Sequence, residues 1–350
     1  TALAAADGTG LGPGMRGSAG EKLGMIDSGR TPTVWAVHDG KIGMANQVLG
    51  LAEAVGYPVI EKAVVLRSPW RHLVPPLWIH PMAALAPEGA RLEPPWPDLL
   101  IACGRGVTAL ALAVKRMSRG RTLWVQVQDP RFSRRHVDLM VVPQHDPARG
   151  ENVVLTLGAV HRVRPALLDA GRAKFAPLFA GLPRPLVGVL IGGSNRVYRL
   201  TPAIAASLGR ELAALAAQGF GIAITPSRRT GDAALRALAE PLRGVPHYFW
   251  NGSAENPYIG LLAHADALVV TGDSVNMLSE AAATGKPVHV VGLEGGSAKF
   301  RRFHDLFQRA GITRAFTGVI ERWGYRPPDD TERAAVEIRR RMSRRLSNVA

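Results

Sequence analysis

Cysteine is all but missing from this chain: Cys103 stands alone in 350 residues. A lone thiol excludes an internal disulfide and fits a reducing compartment. It follows the apolar run Leu99-Leu100-Ile101-Ala102, so it reads as packing at a strand end rather than as a reactive group. Also missing is any stretch near the roughly 20 uninterrupted apolar residues that a membrane span needs. The 47% hydrophobic content is nevertheless that of an ordinary globular protein. No Asp-X-Asp triplet, no clustered His/Cys ligand spacing and no Gly-X-Ser-X-Gly elbow occurs. Metal-dependent and serine-nucleophile chemistry are therefore disfavoured. Lysine is scarce as well, 7 against 36 arginines, within a net charge of +15. That charge points to anionic partners such as nucleotides or acidic lipid headgroups. The arginine skew fits a GC-rich genome equally well, and the arginines of 333–345 can equally be a solvated helix face. No nucleic-acid reading motif accompanies the charge, so nucleic acid is not an expected partner.

What is present is an alternation of apolar strands and helices, organised in two series. Residues 1–30, rich in Gly and Ala, read as a tail or as sequence upstream of a start at Met15 or Met25. They lack the basic start and continuous apolar core of a secretory signal, and the expected location is cytoplasmic. Strands are expected at 34–38, 59–66, 98–102, 122–127, 138–142 and 153–156, with helices at 44–55, 105–117 and 165–179. Gly181-Leu182-Pro183-Arg184-Pro185 then interrupts as a linker. A second series has strands at 186–191, 220–225, 246–250, 267–271 and 288–291, with Thr201-Pro202 as a helix start. The reading is α/β: two doubly wound, Rossmann-like domains at 31–182 and 183–329, facing an interdomain cleft. A basic helix at 330–346 follows, in a C-terminal segment 330–350 that can pack back on the first domain.

In such folds ligands bind at the carboxyl ends of the strands, where the informative loops of this chain fall. Residues 267–299 carry the strongest signal. Strand 267–271 ends in Thr271-Gly272-Asp273-Ser274, a helix bearing Glu280 follows, and Lys286-Pro287 leads to the next strand. Thr271, Asp273 and Ser274 suit phosphate or sugar hydroxyls beside unpaired helix N–H groups, and Glu280 suits ribose hydroxyls. Gly192, Gly193 and Ser194 let backbone approach a pyrophosphate, although a plain strand-to-helix turn would look the same. Ser227, Arg228 and Arg229 place two guanidiniums at a sheet edge, where an anion would relieve their conflict with a helix dipole. Tyr258 and Trp250 suit stacking on a base or sugar and are equally plausible as core aromatics.

In the first domain His38 and Asp39 form a strand-end pair of the kind that acts as general base for an acceptor hydroxyl. The same residues also read as packing and helix capping. Lys41, Asn46, Gln47, Gln128 and Asp129 fall on the same edge as acceptor contacts. Pro69-Trp70-Arg71-His72-Leu73-Val74-Pro75-Pro76-Leu77-Trp78-Ile79 stands apart. Tryptophan beside arginine suits a monotopic membrane contact, and a buried connection is the alternative.

Taken in order, His38-Asp39-Gly40-Lys41-Ile42-Gly43 with Asn46-Gln47, Gln128-Asp129-Pro130, Ile191-Gly192-Gly193-Ser194, Ser227-Arg228-Arg229-Thr230, Glu255-Asn256-Pro257-Tyr258, Thr271-Gly272-Asp273-Ser274 and Phe300-Arg301-Arg302-Phe303-His304 resemble bacterial members of the ELM (elongated mitochondria) mitochondrial-fission family. The likeness spans about residues 33–346. Such bacterial proteins are often labelled predicted nucleoside-diphosphate-sugar epimerases, and plant relatives are peripheral proteins of the mitochondrial surface that help recruit a dynamin-related fission protein. The resemblance implies a GT-B-like fold. The stretch from Asp273 through Glu280 to Pro287 is also similar to the donor region of the lipid-linked peptidoglycan glucosaminyltransferase, which implies a ribose role for Glu280. Asp273-Ser274 departs from that enzyme's Gly-rich segment.

Three functional expectations follow. The first is a metal-independent GT-B glycosyltransferase, with a nucleoside-diphosphate sugar as substrate, no resident cofactor and a lipid-linked or membrane-associated acceptor. It would work as a peripheral protein on the inner face of the cytoplasmic membrane. The second is a nucleoside-diphosphate-sugar epimerase using the same donor site, and the third is a non-catalytic membrane adaptor.

Overall fold

A computed structural model describes residues 30–347. The expected tail at 1–30 lies outside them except for Arg30, which pairs with Asp98. The first sheet holds β1 (Val34–His38), β2 (Val59–Ala63), β3 (Leu99–Cys103), β4 (Leu123–Val127), β5 (Leu139–Pro143) and β6 (Val153–Thr156). All pair in parallel in the order β2-β1-β3-β4-β5-β6. β1, β3, β4 and β5 are buried along their whole length, which is why they read as apolar runs broken only by the buried His38 and Gln126. Helices α1 (Ile42–Val55) and α2 (Arg105–Met117) cover opposite faces, α1 on Val34, Ile101 and Val125 and α2 on Leu100, Ala102 and Trp124.

The second sheet contains β7 (Leu186–Ile191), β9 (Gly221–Pro226), β10 (His247–Phe249), β11 (Ala267–Thr271), β12 (Val288–Val291) and β14 (Thr313–Ala315). A short antiparallel pair of two-residue strands, β8 (Tyr198–Arg199) with β13 (Glu294–Gly295), stands beside it. Its parallel order β10-β9-β7-β11-β12-β14 is the dinucleotide-fold order 3-2-1-4-5-6. Its helices are α4 (Pro202–Ala217), α5 (Asp232–Ala239), α6 (Tyr258–His264), α7 (Val275–Ala282) and α8 (Ala298–Arg309). Three starts are capped by hydroxyls: Thr201 accepts from Ile204 N–H, Ser274 from Met277 and Ser297 from Phe300, each typically worth ~1 kcal/mol.

Two elements depart from the sequence reading. The expected strand 59–66 leaves the sheet after Ala63, and Leu66 instead bridges Leu85. Helix α3 (Pro165–Phe179), placed with the first domain by its sequence position, packs on α6. A Cβ on Gly171 would collide with Ile259 and one on Gly260 with Phe175, and Phe175 and Phe179 join the core of Leu186, Leu190 and Leu261.

The terminal helix α9 (Asp330–Ser347) returns to the first domain. Ala334, Ala335, Ile338 and Met342 are buried with Val48 and Leu51 of α1. Asp330 Oδ2 accepts from the N–H groups of Leu157 (2.8 Å) and Gly158 (3.1 Å). The basic run on α9 is largely a clamp. Arg333 donates to Leu155 O, Arg339 to Ala54 O, Arg341 to Asp138 O and Arg345 to Gly120 O, while Arg340 pairs with Glu337.

The two sheets face each other across their carboxyl edges. Asn276, in the first turn of α7, meets Gly43 and Gln47 in the first turns of α1. Two doubly wound sheets so opposed, with a terminal helix crossing back, make a GT-B-like arrangement. Among the described residues no helix is long and apolar enough to cross a membrane.

Candidate functional site

In the second sheet strand order reverses between β7 and β11, the place where open α/β sheets bind ligands. The loops that meet there are Gly192-Gly193-Ser194 and Gly272-Asp273-Ser274, both anticipated, but their internal chemistry differs from the expectation. The Asp273 carboxylate is wholly buried between them. It accepts from Thr271 Oγ1 at 2.7 Å and from Gly193 N–H at 3.1 Å, and it pairs with Arg229 at 2.8 Å. Gly192 N–H donates to Thr271 Oγ1 at 2.7 Å. A Cβ on Gly192 would strike the Asp273 carboxylate, and Gly193, at φ +147°, has the Arg229 carbonyl against the same position. The glycines thus admit the protein's own carboxylate into a spot suited to an anion. Ser227 Oγ donates to Gly192 O, Thr230 Oγ1 does the same at 2.8 Å, and Ser194 Oγ accepts from Leu200 N–H. Thr271, Asp273, Ser194 and Ser227 are therefore framework of this turn rather than free ligand groups. What stays outward is Arg228, exposed and without an ion pair among the described residues, together with the half-exposed Arg229. Ser274 caps α7 beside them.

Glu280 sits further along α7, only 5% exposed, at the domain interface. Tyr258 donates its hydroxyl to Glu280 Oε2 at 2.5 Å. Burial lifts the carboxyl, hydrogen bonds from Tyr258 and from the Asn46 amide of α1 pull it part of the way back, and it rests at about 7. Burial, with the nearby carboxylate second, drives the Tyr258 phenol well above its ordinary value. Tyr258 holds the glutamate in place and does not stand free to stack on a base. Trp250 is half-buried and donates to Ala254 O at 3.1 Å.

In the first sheet the order reverses between β1 and β3, with His38 and Cys103 at the two strand ends. His38 is buried and both ring nitrogens are engaged: Gly40 N–H donates to Nδ1 at 3.1 Å, and Nε2 meets Glu61 Oε1 at 2.9 Å. With Nδ1 accepting, Nε2 carries the proton, so His38 offers no lone pair to an acceptor hydroxyl. Its sequence-based role as general base does not fit this geometry. Asp39 pairs with Lys41 two residues on. Cys103 is fully buried and its thiol is held far up by that burial, an inert packing group.

The polar side chains expected on that edge divide into two groups. Gln47 and Gln128 join a chain to the other domain: Gln128 Nε2 donates to Gln47 Oε1 (3.2 Å), and Gln47 Nε2 donates to Asn276 Oδ1 (2.8 Å). Asn276 Nδ2 closes the chain on Gly43 O at 3.0 Å. Asp129 is turned into its own loop, accepting from Arg131 N–H (2.8 Å) and gripped by Arg134 through Nε (2.8 Å) and Nη2 (2.5 Å). Beside this loop a cavity of about 340 Å³ opens at the ends of β3 and β4. Met44, Gln126, Gln128, Arg131 and Arg134 line it, and Lys299 of α8 reaches it from the second domain. Lys299 also pairs with Asp146 at 2.5 Å.

Sequence reasoning missed Asn276, Arg131 and Lys299. Asn276 lies two residues past the expected Ser274, and Lys299 immediately precedes the Phe300-to-His304 motif, so proximity was the only available signal. Among the described residues no group of three or more His, Cys, Asp or Glu is arranged to hold a metal ion.

A cleft walled by the switch points of two doubly wound sheets defines the class, a GT-B-like α/β protein. The family model for mitochondrial fission ELM1 matches residues 42–342, and the chain belongs to that family. It is 35% identical over 277 residues to the mitochondrial fission protein ELM1 of Arabidopsis thaliana, covering 71% of this chain and 65% of that protein. The chain thus spans less than two thirds of that relative's length. An uncharacterized protein of Rickettsia prowazekii (strain Madrid E) is 25% identical over 349 residues, covering 87% of this chain and 97% of its own. Among solved structures, S. aureus MnaA with UDP aligns at TM-score 0.48 and 13% identity over 90% of each chain. UDP-GlcNAc 2-epimerase from Neisseria meningitidis bound to UDP-GlcNAc aligns at 0.48 and 12%, over 90% of this chain and 94% of that one.

Proposed function

We propose that the cleft binds a nucleoside-diphosphate sugar and that the chain is a GT-B-type glycosyltransferase working at a membrane surface without a metal. One observation carries the reading. Arg229 stands on Asp273, one residue before the Ser274 cap of α7, so two arginines and the N-terminus of a helix share the switch-point edge that faces the other domain. That edge concentrates positive potential where a diphosphate would sit. Arg228, Arg229 and the first N–H groups of α7 would hold the diphosphate and stabilise it as leaving group. Glu280, steadied by Tyr258, would exchange Asn46 for a ribose hydroxyl. With His38 committed, Asp39 is the acceptor-side carboxylate that can change partner. Its pair with Lys41, whose side chain is 68% exposed, is of a kind worth little in water.

The test is calorimetric titration of UDP, GDP, ADP and dTDP into the folded protein. Binding of one of them, weakened at least tenfold in Arg228→Gln, supports the proposal, and no binding by any sinks it. Conversion of a bound UDP-sugar without an acceptor would make the chain an epimerase instead.

A second reading, a membrane-surface adaptor, has its own observation. The turns Trp70–His72 and Pro75–Leu77 leave Leu73, Val74, Leu77 and Ile79 exposed by 42–88%, with the exposed Arg67, Arg71 and His72 beside them in the chain. Trp78, in contrast, is buried and fastens the segment. Exposed apolar side chains among basic residues suit an anionic bilayer surface. Flotation with phosphatidylglycerol vesicles should be lost in the double variant Leu77→Asp, Ile79→Asp. Undiminished flotation in that variant would remove the segment from any membrane role.

A further inference from the structure

The cavity at the ends of β3 and β4 is accounted for neither by the donor edge nor by the packing of the sheets. Its volume of about 340 Å³ lies in the range of small-molecule sites. Three cations line it, Arg131, Arg134 and Lys299, against two carboxylates, Asp129 and Asp146. Arg134 is held in a bidentate pair by Asp129, and Lys299 pairs with Asp146 while its side chain stays 46% exposed. Arg131 has no ion pair among the described residues, and its side chain is exposed. The local charge is therefore one positive unit in excess.

The loop is also held in a conformation that its residues would not choose. Gln128 and Arg131 both sit at φ +67° and Ser133 at φ +56°, left-handed backbone that side chains other than glycine rarely adopt. Such strain persists where surrounding contacts impose it and clusters at ligand sites. Here Asp129 imposes it, drawing in Arg131 N–H and the Arg134 guanidinium. The consequence is to bring two arginines to the cavity wall. The third cation arrives from the opposite domain, so the site is complete only with the cleft closed.

We infer that this cavity is a phosphate-monoester site on the acceptor side of the cleft, read by Arg131 and Lys299 and walled by the amides of Gln126 and Gln128. The inference rests on the proposed transfer and deepens it: the acceptor carries a terminal phosphate. That phosphate belongs either to a soluble metabolite or to a lipid headgroup.

The test titrates sn-glycerol 3-phosphate calorimetrically and, in a second arm, floats the protein with phosphatidic acid vesicles against phosphatidylcholine vesicles. Wild type should bind in at least one arm, and the arm that responds identifies the source. Arg131→Gln, Arg131→Asn (a residue that tolerates the left-handed backbone) and Lys299→Gln should each weaken that binding tenfold or more. Arg228→Gln should change it less than twofold. The nucleoside diphosphate that the wild type binds, titrated into the same proteins, should show the reverse pattern, so absence of binding by all four nucleoside diphosphates overturns the donor reading and leaves this one standing. Absence of phosphate binding in both arms, or a loss confined to Arg228→Gln, overturns the acceptor phosphate site.

Discussion

The two sheets follow one plan and differ in how each carboxyl edge disposes of its charges. At the second switch point a carboxylate is drawn fully inside and answered there by a backbone N–H, a hydroxyl and a guanidinium, all within 3.1 Å of Asp273. At the first, the acid and imidazole are answered separately, Asp39 by Lys41 two residues on and His38 by its own turn at Gly40 and by Glu61 of the adjacent strand. The second edge is a rigid, preorganised frame. The first is a set of separate pairs next to an open cavity. Under the proposed transfer, a donor would be gripped by fixed groups and an acceptor met by exchangeable ones.

The largest effect should come from the frame. Asp273→Ala removes a buried charge and leaves Gly193 N–H, Thr271 Oγ1 and Arg229 without their partner. A loss of about 3 kcal/mol in urea unfolding is expected. Asp273→Asn, which keeps an oxygen in place, should lose less. Less than about 1 kcal/mol for the alanine variant would mean that the frame is not rigid, and the contrast between the edges would fall.

Glu280 gives the next effect, and its sign is fixed by burial. The carboxyl rests at about 7 in the folded protein against an ordinary 4.5. An unfolded chain ionises this group from pH 4.5 upward while the folded protein retains the proton. Stability from this group is therefore full below pH 4.5 and lost as pH rises through 7. Glu280→Gln keeps an acceptor for Tyr258 and cannot ionise. Its stability relative to wild type should rise by roughly 3 kcal/mol between pH 4 and pH 8. A flat difference across that range would show that the group is not held from water.

Much of this arrangement was legible in the residues and some could not have been. Strands such as Leu99–Cys103 and Leu186–Ile191 declare themselves because parallel strands buried on both faces must be continuously apolar. Thr313–Ala315, an edge strand of three residues with two of them exposed, carries no such pattern. The polar loops were found because folds of this class place them after strands. Their roles were not, since those depend on partners far away in sequence. Nothing local tells His38 that Glu61 lies beside it on β2, or Gln47 that Asn276 waits 229 residues on. Helix α3 likewise has a sequence position in the first half and a packing face made for the second.

His38 sharpens the contrast from the other side. His38→Ala should cost about 1–2 kcal/mol for two lost hydrogen bonds, about half the loss at Asp273. It should leave UDP binding within twofold, because the ring already faces its own turn and β2. His38→Gln should recover part of the stability through one remaining donor. If His38→Gln proves as stable as wild type and still abolishes sugar transfer, the imidazole is the base after all and the reading of its hydrogen bonds is overturned.

The smallest expected effect lies between the two edges. Gln47 is 3% exposed and is the middle of the only amide chain among the described residues that runs from Gln128 to Asn276. Gln47→Ala should cost about 1 kcal/mol, because water entering the opened cleft can replace part of what is lost. The informative readout is geometry rather than stability. α9 and the Ser279 contact to Ala159 N–H still tie the domains together, so the variant should stay folded while its small-angle scattering shifts to a larger radius of gyration. Addition of a bound nucleotide should reverse that shift, since a ligand touching both edges favours the closed form by its differential affinity. Identical scattering for variant and wild type would mean that the packed α9 and Ser279 contacts set the cleft by themselves. The two edges would then be held apart by a fixed frame and not by a latch.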